Sequence, residues 1–201
     1  MATQDRSITV DQINAEAALY KLDPIALRAV MRVECGGHGF DADGNPIILF
    51  ERHIFYRQLL AHGLNSIAAR AYKERPDLCN PAPTPKGGYG PVTAQQGRLT
   101  AATLYDRSSA LESASYGLGQ VMGNNWRAIG YPTLQAFINA MWKDEAGQLD
   151  AMLRYIKSKG LISALNGHNW ATFADGYNGA GYAKFGYDEK LAQAFHALGG
   201  G

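Results

Sequence analysis

Hydrophobic residues recur with helical spacing along most of this chain. The apolar periodicity predicts helices at 7–22, 24–35, 54–61, 65–75, 93–110, 133–142 and 144–159, and a final helix from Asp188. Only the run Ile47 to Phe50, which follows a turn at residues 43–46, has the pattern of a strand, and we expect it to form half of a short hairpin. The chain is therefore expected to be mainly α-helical with one small β element.

The second predicted helix ends in the first candidate for chemistry, Glu34. Asp23 is placed to cap this helix, Pro24 fits its first turn, and the glycines at 36–37 favour its end. Glu34 extends an apolar stripe formed by Leu27, Val30 and Met31, so its carboxyl is expected to face the interior. Burial and the negative end of the helix dipole would both raise its pKa. A protonated carboxyl near neutral pH suits a general acid acting on a glycosidic oxygen. The alternative is an ordinary helix-end residue in water.

Composition narrows the possible functions. The chain has 201 residues, 46% of them hydrophobic and 18% charged, with a formal net charge of +1. This size fits a single domain over residues 1–201, and the balanced charge argues against nucleic acid as a partner. No apolar run is long enough to span a bilayer, and the first ten residues lack the basic and apolar regions of a signal peptide. We therefore expect synthesis in the cytosol.

Cysteine and histidine usage gives no sign of a metal site. Cys35 and Cys79 are the only cysteines, and in a cytosolic protein both are expected to be free thiols. The five histidines stand in none of the spacings typical of zinc ligands. The sequence thus predicts no metal and no cofactor.

Three further segments have compositions that suggest a binding surface. Residues 76–91 hold five of the eight prolines and are expected to form a long structured loop. Residues 113–126 (SASYGLGQVMGNNW) alternate small residues with apolar ones, which is typical of backbone that packs closely or approaches a ligand. The last quarter contains Tyr177-Asn178-Gly179 and then an aromatic-rich turn, whose rings either stack on sugars or belong to the core.

Three motifs in order now resemble a known superfamily. A helix ending in VECGG, the segment ASYGLGQVMGNNW and the segment YNGAGY resemble the lysozyme-like superfamily, especially goose-type lysozymes and soluble lytic transglycosylases. The segment VECGGHGFDADGNPIILFERHIF is similar to the signature of the N-acetylmuramidase family of bacteriophage endolysins. The resemblance extends from about Thr9 to Leu198. It implies a lysozyme-like helical fold with a small β-hairpin beside an active-site cleft.

The resemblance also implies site residues. By position, Glu34 matches the catalytic glutamate and Glu51 the acidic residue of the FERH segment, although Glu51 could instead be an ion-paired partner of Arg52. The positions that match saccharide-binding ones are Tyr116, Gly117, Leu118, Gln120, Tyr177 and Asn178. Cys35 departs from the pattern, because these families usually place serine after the glutamate.

The expected function is hydrolysis of the β-1,4 bond between N-acetylmuramic acid and N-acetylglucosamine in bacterial peptidoglycan. A lytic transglycosylase would use the same acid with attack by the substrate's own hydroxyl, and a non-catalytic peptidoglycan-binding module is the third possibility. The resemblance implies a monomer that reaches the wall after a separate, holin-type release step. Related endolysins often have a wall-binding module, for which we expect no room in this chain.

Overall fold

A computed structural model describes residues 6–85 and 88–201. Residues 1–5 and 86–87 lie outside the described residues. The first five belong to the segment that lacks signal-peptide features, and residues 86–87 belong to the loop predicted at 76–91. The chain forms two compact units, which we describe separately. The first comprises residues up to Pro46, Gly117–Gly119 and Ala140–Gly201, and the second Ile47–Tyr116 and Gln120–Asn139. A single domain over 1–201 stays a prediction.

The first unit is helical. Its helices are α1 (Val10–Leu19), α2 (Pro24–Cys35), α8 (Glu145–Ser158), α9 (Ile162–Asn166), α10 (Trp170–Asn178), α11 (Tyr182–Phe185) and α12 (Tyr187–Ala197). Helix α2 packs against α12 and α1. The apolar stripe predicted for α2 is confirmed, because Leu27, Val30 and Met31 are all buried. Burial of these side chains fixes which face of α2 turns inward, and Glu34 lies at the end of that face.

Both ends of α2 have the capping residues predicted from the sequence. The Asp23 carboxylate accepts hydrogen bonds from the backbone N–H groups of Ile25 and Ala26, at 2.8 and 3.3 Å, and Pro24 occupies the first turn. At the other end, Gly36 adopts φ = 71°, and its N–H donates to the carbonyl of Arg32. This left-handed residue closes the helix two positions after Glu34.

The second unit combines helices with a small sheet. Its helices are α3 (Arg52–Ala61), α4 (Asn65–Glu74), α5 (Thr93–Thr103) and α6 (Arg107–Glu112), and α7 (Leu134–Lys143) runs from this unit into the first. The strands are β1 (Ile48–Phe50), β2 (Ala114–Tyr116) and β3 (Val121–Met122), in the order β1-β2-β3 with both pairings antiparallel. The mainly helical fold with a small antiparallel sheet is confirmed.

Two local predictions were wrong. The strand predicted at Ile47 to Phe50 is present as β1, but its partner is β2 and not a neighbouring strand across the turn at 43–46, where one bridge joins Phe40 and Pro46. Pro46 has no N–H, so it cannot continue a local ladder. The helix predicted for 93–110 breaks after Thr103, because Asp106 caps a new helix by accepting the N–H of Ser109 at 2.7 Å.

The described residues contain neither a membrane-spanning helix nor a cluster of metal ligands. No helix there has the length and apolar character needed to cross a membrane. No group of three or more histidine, cysteine, aspartate or glutamate side chains in residues 6–85 and 88–201 is arranged to hold a metal ion.

Candidate functional site

Glu34 lies in the last turn of α2, with its carboxyl in contact with the end of α10. The side-chain amide of Asn178 donates a hydrogen bond from Nδ2 to Glu34 Oε1 at 2.8 Å. Burial raises the pKa of Glu34 from 4.5 to about 7, and the Asn178 hydrogen bond and the charge of Lys190 oppose this rise without cancelling it. The rise expected from the sequence is present, and desolvation is its main cause. Near neutral pH, this carboxyl is therefore protonated in a large fraction of molecules.

The hydrogen bonds at Glu34 distinguish its two oxygens. Oε1 accepts the Asn178 amide, whereas Oε2 has no hydrogen-bond partner among residues 6–85 and 88–201. Asn178 Oδ1 is buried and likewise has no partner within the described part of the chain. A buried polar atom without a partner is uncommon in folded proteins. Of these two oxygens, only Glu34 Oε2 is therefore able to contact a ligand or water, because Asn178 Oδ1 is enclosed by the protein.

Residues 117–119 lie beside Glu34 within the first unit. The Cys35 sulfur lies 3.4 Å from the carbonyl oxygens of both Met31 and Leu118, and its single S–H can donate to either. The Tyr177 hydroxyl donates to the carbonyl of Gly119 at 2.7 Å. Burial raises the pKa of Cys35 to about 11, so the thiol keeps its proton and acts as a donor. Cys35 therefore replaces the expected serine with a weaker donor that still reaches this segment.

A buried polar pair on α8, which the sequence interpretation missed, supports the same segment. Gln148 accepts the N–H of Leu118 at 3.0 Å and donates to the carbonyl of Gly39 at 3.2 Å. Glu145 accepts the N–H of Gly39 at 2.7 Å. A side chain at Gly39 or Gly117 would overlap the Gln148 amide, so glycine is required at both positions. The signal in the sequence was the helical spacing of Glu145 and Gln148 with the apolar stripe of α8.

Glu51 belongs to the second unit and stands between β1 and α3. The Tyr89 hydroxyl donates to Glu51 Oε2 at 3.3 Å, and His53 Nδ1 lies 3.4 Å from the same oxygen. Burial raises the pKa of Glu51, with Tyr89 and Arg57 acting against the rise. Arg52 is not its ion-pair partner, because that guanidinium donates to the carbonyls of Pro76, Ala82 and Pro83. The ion-pair alternative for Glu51 is therefore wrong.

Two side chains of α5, also missed in the sequence, hold the backbone beside Glu51. The buried Gln95 accepts the N–H of Phe50 at 3.3 Å and donates to the carbonyl of Tyr89 at 2.6 Å. Arg98 donates to the carbonyl of Phe50 at 3.2 Å and to Gln95 Oε1 at 3.0 Å. The strand that precedes Glu51 and the loop that supplies Tyr89 are thereby fixed to one helix.

The remaining predicted binding residues differ in what they expose. Tyr116, Leu118 and Tyr177 are buried, and the hydroxyl of Tyr116 donates to the carbonyl of Leu111 at 3.0 Å. A role of these three in binding would therefore involve their backbone or the positions of their neighbours. Gln120 has φ = 44°, donates to the carbonyl of Ile47 at 3.2 Å and accepts the Ser115 hydroxyl at 2.9 Å. Its side chain thus links the sheet segments.

Comparisons with known proteins point to one family. A family model described as N-acetylmuramidase matches residues 23–199. The crystal structure of the Burkholderia AP3 phage endolysin is 41% identical to this chain, with a TM-score of 0.82. The match covers 96% of this chain and 71% of that one. No curated protein matches.

Proposed function

The chain belongs to the N-acetylmuramidase family, lysozyme-type glycoside hydrolases that degrade peptidoglycan, and from this premise we propose that Glu34 is its general acid and Glu51 its second carboxylate. The proposed reaction cleaves the β-1,4 bond between N-acetylmuramic acid and N-acetylglucosamine. Glu34 gives a proton to the glycosidic oxygen as an oxocarbenium-like centre develops. Glu51 stabilises that centre or positions the attacking water.

The observation that carries the assignment is the state of the Glu34 carboxyl. Its pKa of about 7 keeps a proton available at neutral pH, and the Asn178 N–H occupies Oε1. We therefore assign the transferable proton to Oε2, the oxygen with no partner among the described residues. A general acid needs both properties, a pKa near the working pH and a proton on an accessible atom.

Each predicted binding residue is assigned a role that matches its contacts in the structure. Asn178 positions the acid by donating its side-chain N–H to Glu34 Oε1, so its part in saccharide binding acts through Glu34. The backbone of residues 116–118 and Gln120 borders the bound sugar, and Tyr177 orients the Gly119 carbonyl through its hydroxyl. No metal or cofactor takes part in the proposed steps.

The likeness to a phage endolysin supports a role at the end of a phage infection cycle. We propose an endolysin that acts as a monomer, is made in the host cytoplasm, and reaches the wall through a holin-type release step. Its partner is the peptidoglycan polymer, with no part for nucleic acid.

The test is the chemistry of the products. Digested peptidoglycan should contain muropeptides ending in reducing N-acetylmuramic acid, so borohydride should add two hydrogens to that sugar in a mass spectrum. Anhydro-muramic ends, resistant to borohydride, would instead show a lytic transglycosylase, and reducing N-acetylglucosamine would show a different cleaved bond. Glu34→Gln should lower wall lysis at least about a hundredfold while wall binding persists. A variant that retains more than about a tenth of the wild-type rate would exclude Glu34 as the acid.

A further inference from the structure

His53, in the first turn of α3, has no part in the proposed catalytic steps. Its Nδ1 is buried and has no hydrogen-bond partner within residues 6–85 and 88–201. The same nitrogen lies 3.4 Å from Glu51 Oε2, without the alignment of a hydrogen bond. Buried polar atoms are almost always paired in folded proteins, so a nitrogen left this close to a carboxylate needs an explanation.

The two carboxyl oxygens of Glu51 differ in their contacts. Oε2 accepts the Tyr89 hydroxyl at 3.3 Å and faces His53 Nδ1. Oε1 has no hydrogen-bond partner in the described part of the chain. The contacts of Glu51 therefore gather on one oxygen and leave the other available to water or to a developing positive charge.

The imidazole of His53 is neutral near pH 7. Burial lowers the pKa of His53, and the charges of Arg57 and Arg52 lower it further. A neutral imidazole has one N–H and one nitrogen lone pair, whereas an ionised carboxylate can only accept a hydrogen bond. A lone pair on Nδ1 would be repelled by ionised Glu51, and an Nδ1–H group would be attracted to it. In the Glu51–His53 pair, the charge of the carboxyl and the position of the ring proton are therefore coupled.

The charged groups around this pair come from α3, α5 and α6. Arg57 of α3 lowers the pKa values of both members of the pair. Arg98 of α5 acts on Tyr89, whose pKa burial raises to about 12, so the Tyr89 hydroxyl stays a donor. Glu112 of α6 is directed to His62, with Oε2 at 3.0 Å from Nε2. Among the described residues, the donors that face the shared oxygen are therefore the Tyr89 hydroxyl and the imidazole of the pair.

We propose that His53 is a positioning residue, which donates a hydrogen bond from Nδ1–H to Glu51 Oε2 and so keeps Glu51 ionised with Oε1 free to act. This inference rests on the proposed function. Hydrogen bonds that serve a reaction are often long before the substrate binds and shorten in the complex, in agreement with the distance of 3.4 Å. The bond stabilises the charged form of Glu51 and opposes the rise in pKa that burial causes. Because the second carboxylate acts in the transition state, loss of this donor lowers kcat more than it changes KM.

Three replacements of His53 separate the Nδ1 donor from the rest of the ring. Asparagine carries an amide N–H on Cγ, as histidine carries Nδ1, whereas leucine carries a methyl group there and glutamine places its amide nearer the position of Nε2. In His53→Leu, the acidic limb of the pH–kcat profile should move up by about one unit, so that kcat below the limb falls about tenfold while KM stays within about twofold. His53→Asn should recover most of the wild-type profile and His53→Gln little of it. His196→Leu, at an exposed histidine of α12, is the control and should leave the profile unchanged.

A second measurement is independent of activity. Long-range proton–nitrogen NMR spectra of isotope-labelled protein show which ring nitrogen carries the proton, and the His53→Asn spectrum identifies the His53 signals by their absence. Near neutral pH we expect the proton on Nδ1 in wild type and on Nε2, the tautomer preferred in water, in Glu51→Ala. A wild-type His53 with its proton on Nε2, or equal pH profiles for His53→Leu and His53→Asn, would overturn the proposal. If wild type releases no reducing N-acetylmuramic acid, the proposed function fails instead, and the NMR comparison still decides whether His53 donates to Glu51.

Discussion

The Glu34→Gln variant should be inactive and yet more stable than the wild type at alkaline pH. In the folded state the carboxyl has a pKa of about 7, against 4.5 as its ordinary value. A raised pKa means that the folded state binds the proton more tightly than the unfolded chain does. The free energy of unfolding of the wild type therefore falls as pH rises from about 4.5 to about 7, whereas glutamine does not titrate.

The size of the effect follows from the same two values. Their difference, multiplied by about 1.36 kcal/mol per pKa unit, gives about 3 kcal/mol of destabilisation in wild type above pH 7. Glutamine matches the protonated carboxyl in shape, and its Oε1 can still accept the Asn178 N–H. The variant should thus equal wild type at pH 4 and exceed it by about 3 kcal/mol at pH 8.

Urea denaturation followed by far-ultraviolet circular dichroism and tryptophan fluorescence measures this difference at the two pH values. Glu189→Gln, an exposed glutamate of α12, is the control and should change stability by less than about 1 kcal/mol at both. If Glu34→Gln exceeds wild type in free energy of unfolding by less than about 1 kcal/mol at pH 8, the idea that burial holds the carboxyl neutral is refuted. An excess at pH 4 as large as the excess at pH 8 would refute it as well.

Three other changes test the residues around the two carboxylates. Tyr89→Phe removes the hydrogen bond that lowers the pKa of Glu51, so the acidic limb of the pH–rate profile should move to higher pH. If that limb is unchanged in both Tyr89→Phe and Glu51→Gln, Glu51 takes no part in the reaction. Lys190→Gln removes a charge that lowers the pKa of Glu34, so the alkaline limb of the pH–rate profile should move to higher pH by about a few tenths of a unit. A shift to lower pH would contradict the electrostatic assignment. Cys35→Ser should keep wall lysis within about threefold of wild type, because a hydroxyl can donate to the same carbonyls, whereas Cys35→Ala should lower the free energy of unfolding by about 1 kcal/mol. If the two variants unfold at the same denaturant concentration, the hydrogen bond of the thiol contributes nothing to stability.

Local features of the sequence were sufficient to predict α2 and its acid. The Asp23 cap, Pro24, the apolar stripe and Gly36 all lie within fourteen residues, and each acts on its own neighbours. The raised pKa of Glu34 followed from its position on the stripe, since a carboxyl on a buried face loses water. Predictions of this kind succeed because local hydrogen bonds and one face of a helix determine the outcome.

Long-range pairing could not be predicted in the same way. Strand β1 pairs Ile48 with Tyr116 and Phe50 with Ala114, residues far apart in the chain. Strand β2 is only three residues long and lies in a glycine-rich segment, so it has too few positions for an alternating pattern. The support of Glu51 by Tyr89, from within the proline-rich loop, likewise depends on how the loop folds back over α5.

The sequence pattern does not distinguish a catalytic acid from a structural one. Glu34 and Glu145 both lie on apolar stripes, but their oxygens have different contacts. Both Glu145 oxygens accept backbone N–H groups, from Gly39 at 2.7 Å and from Ile8 at 2.9 Å. Glu34 accepts one side-chain amide and keeps Oε2 without a partner in the described chain. A carboxylate with both oxygens occupied by the backbone fixes loops, whereas one with a free oxygen and a poorly solvated charge can exchange a proton. The donors to Glu145 are 106 and 137 residues away along the chain, so the two acids become distinguishable only after the fold has brought those donors into place.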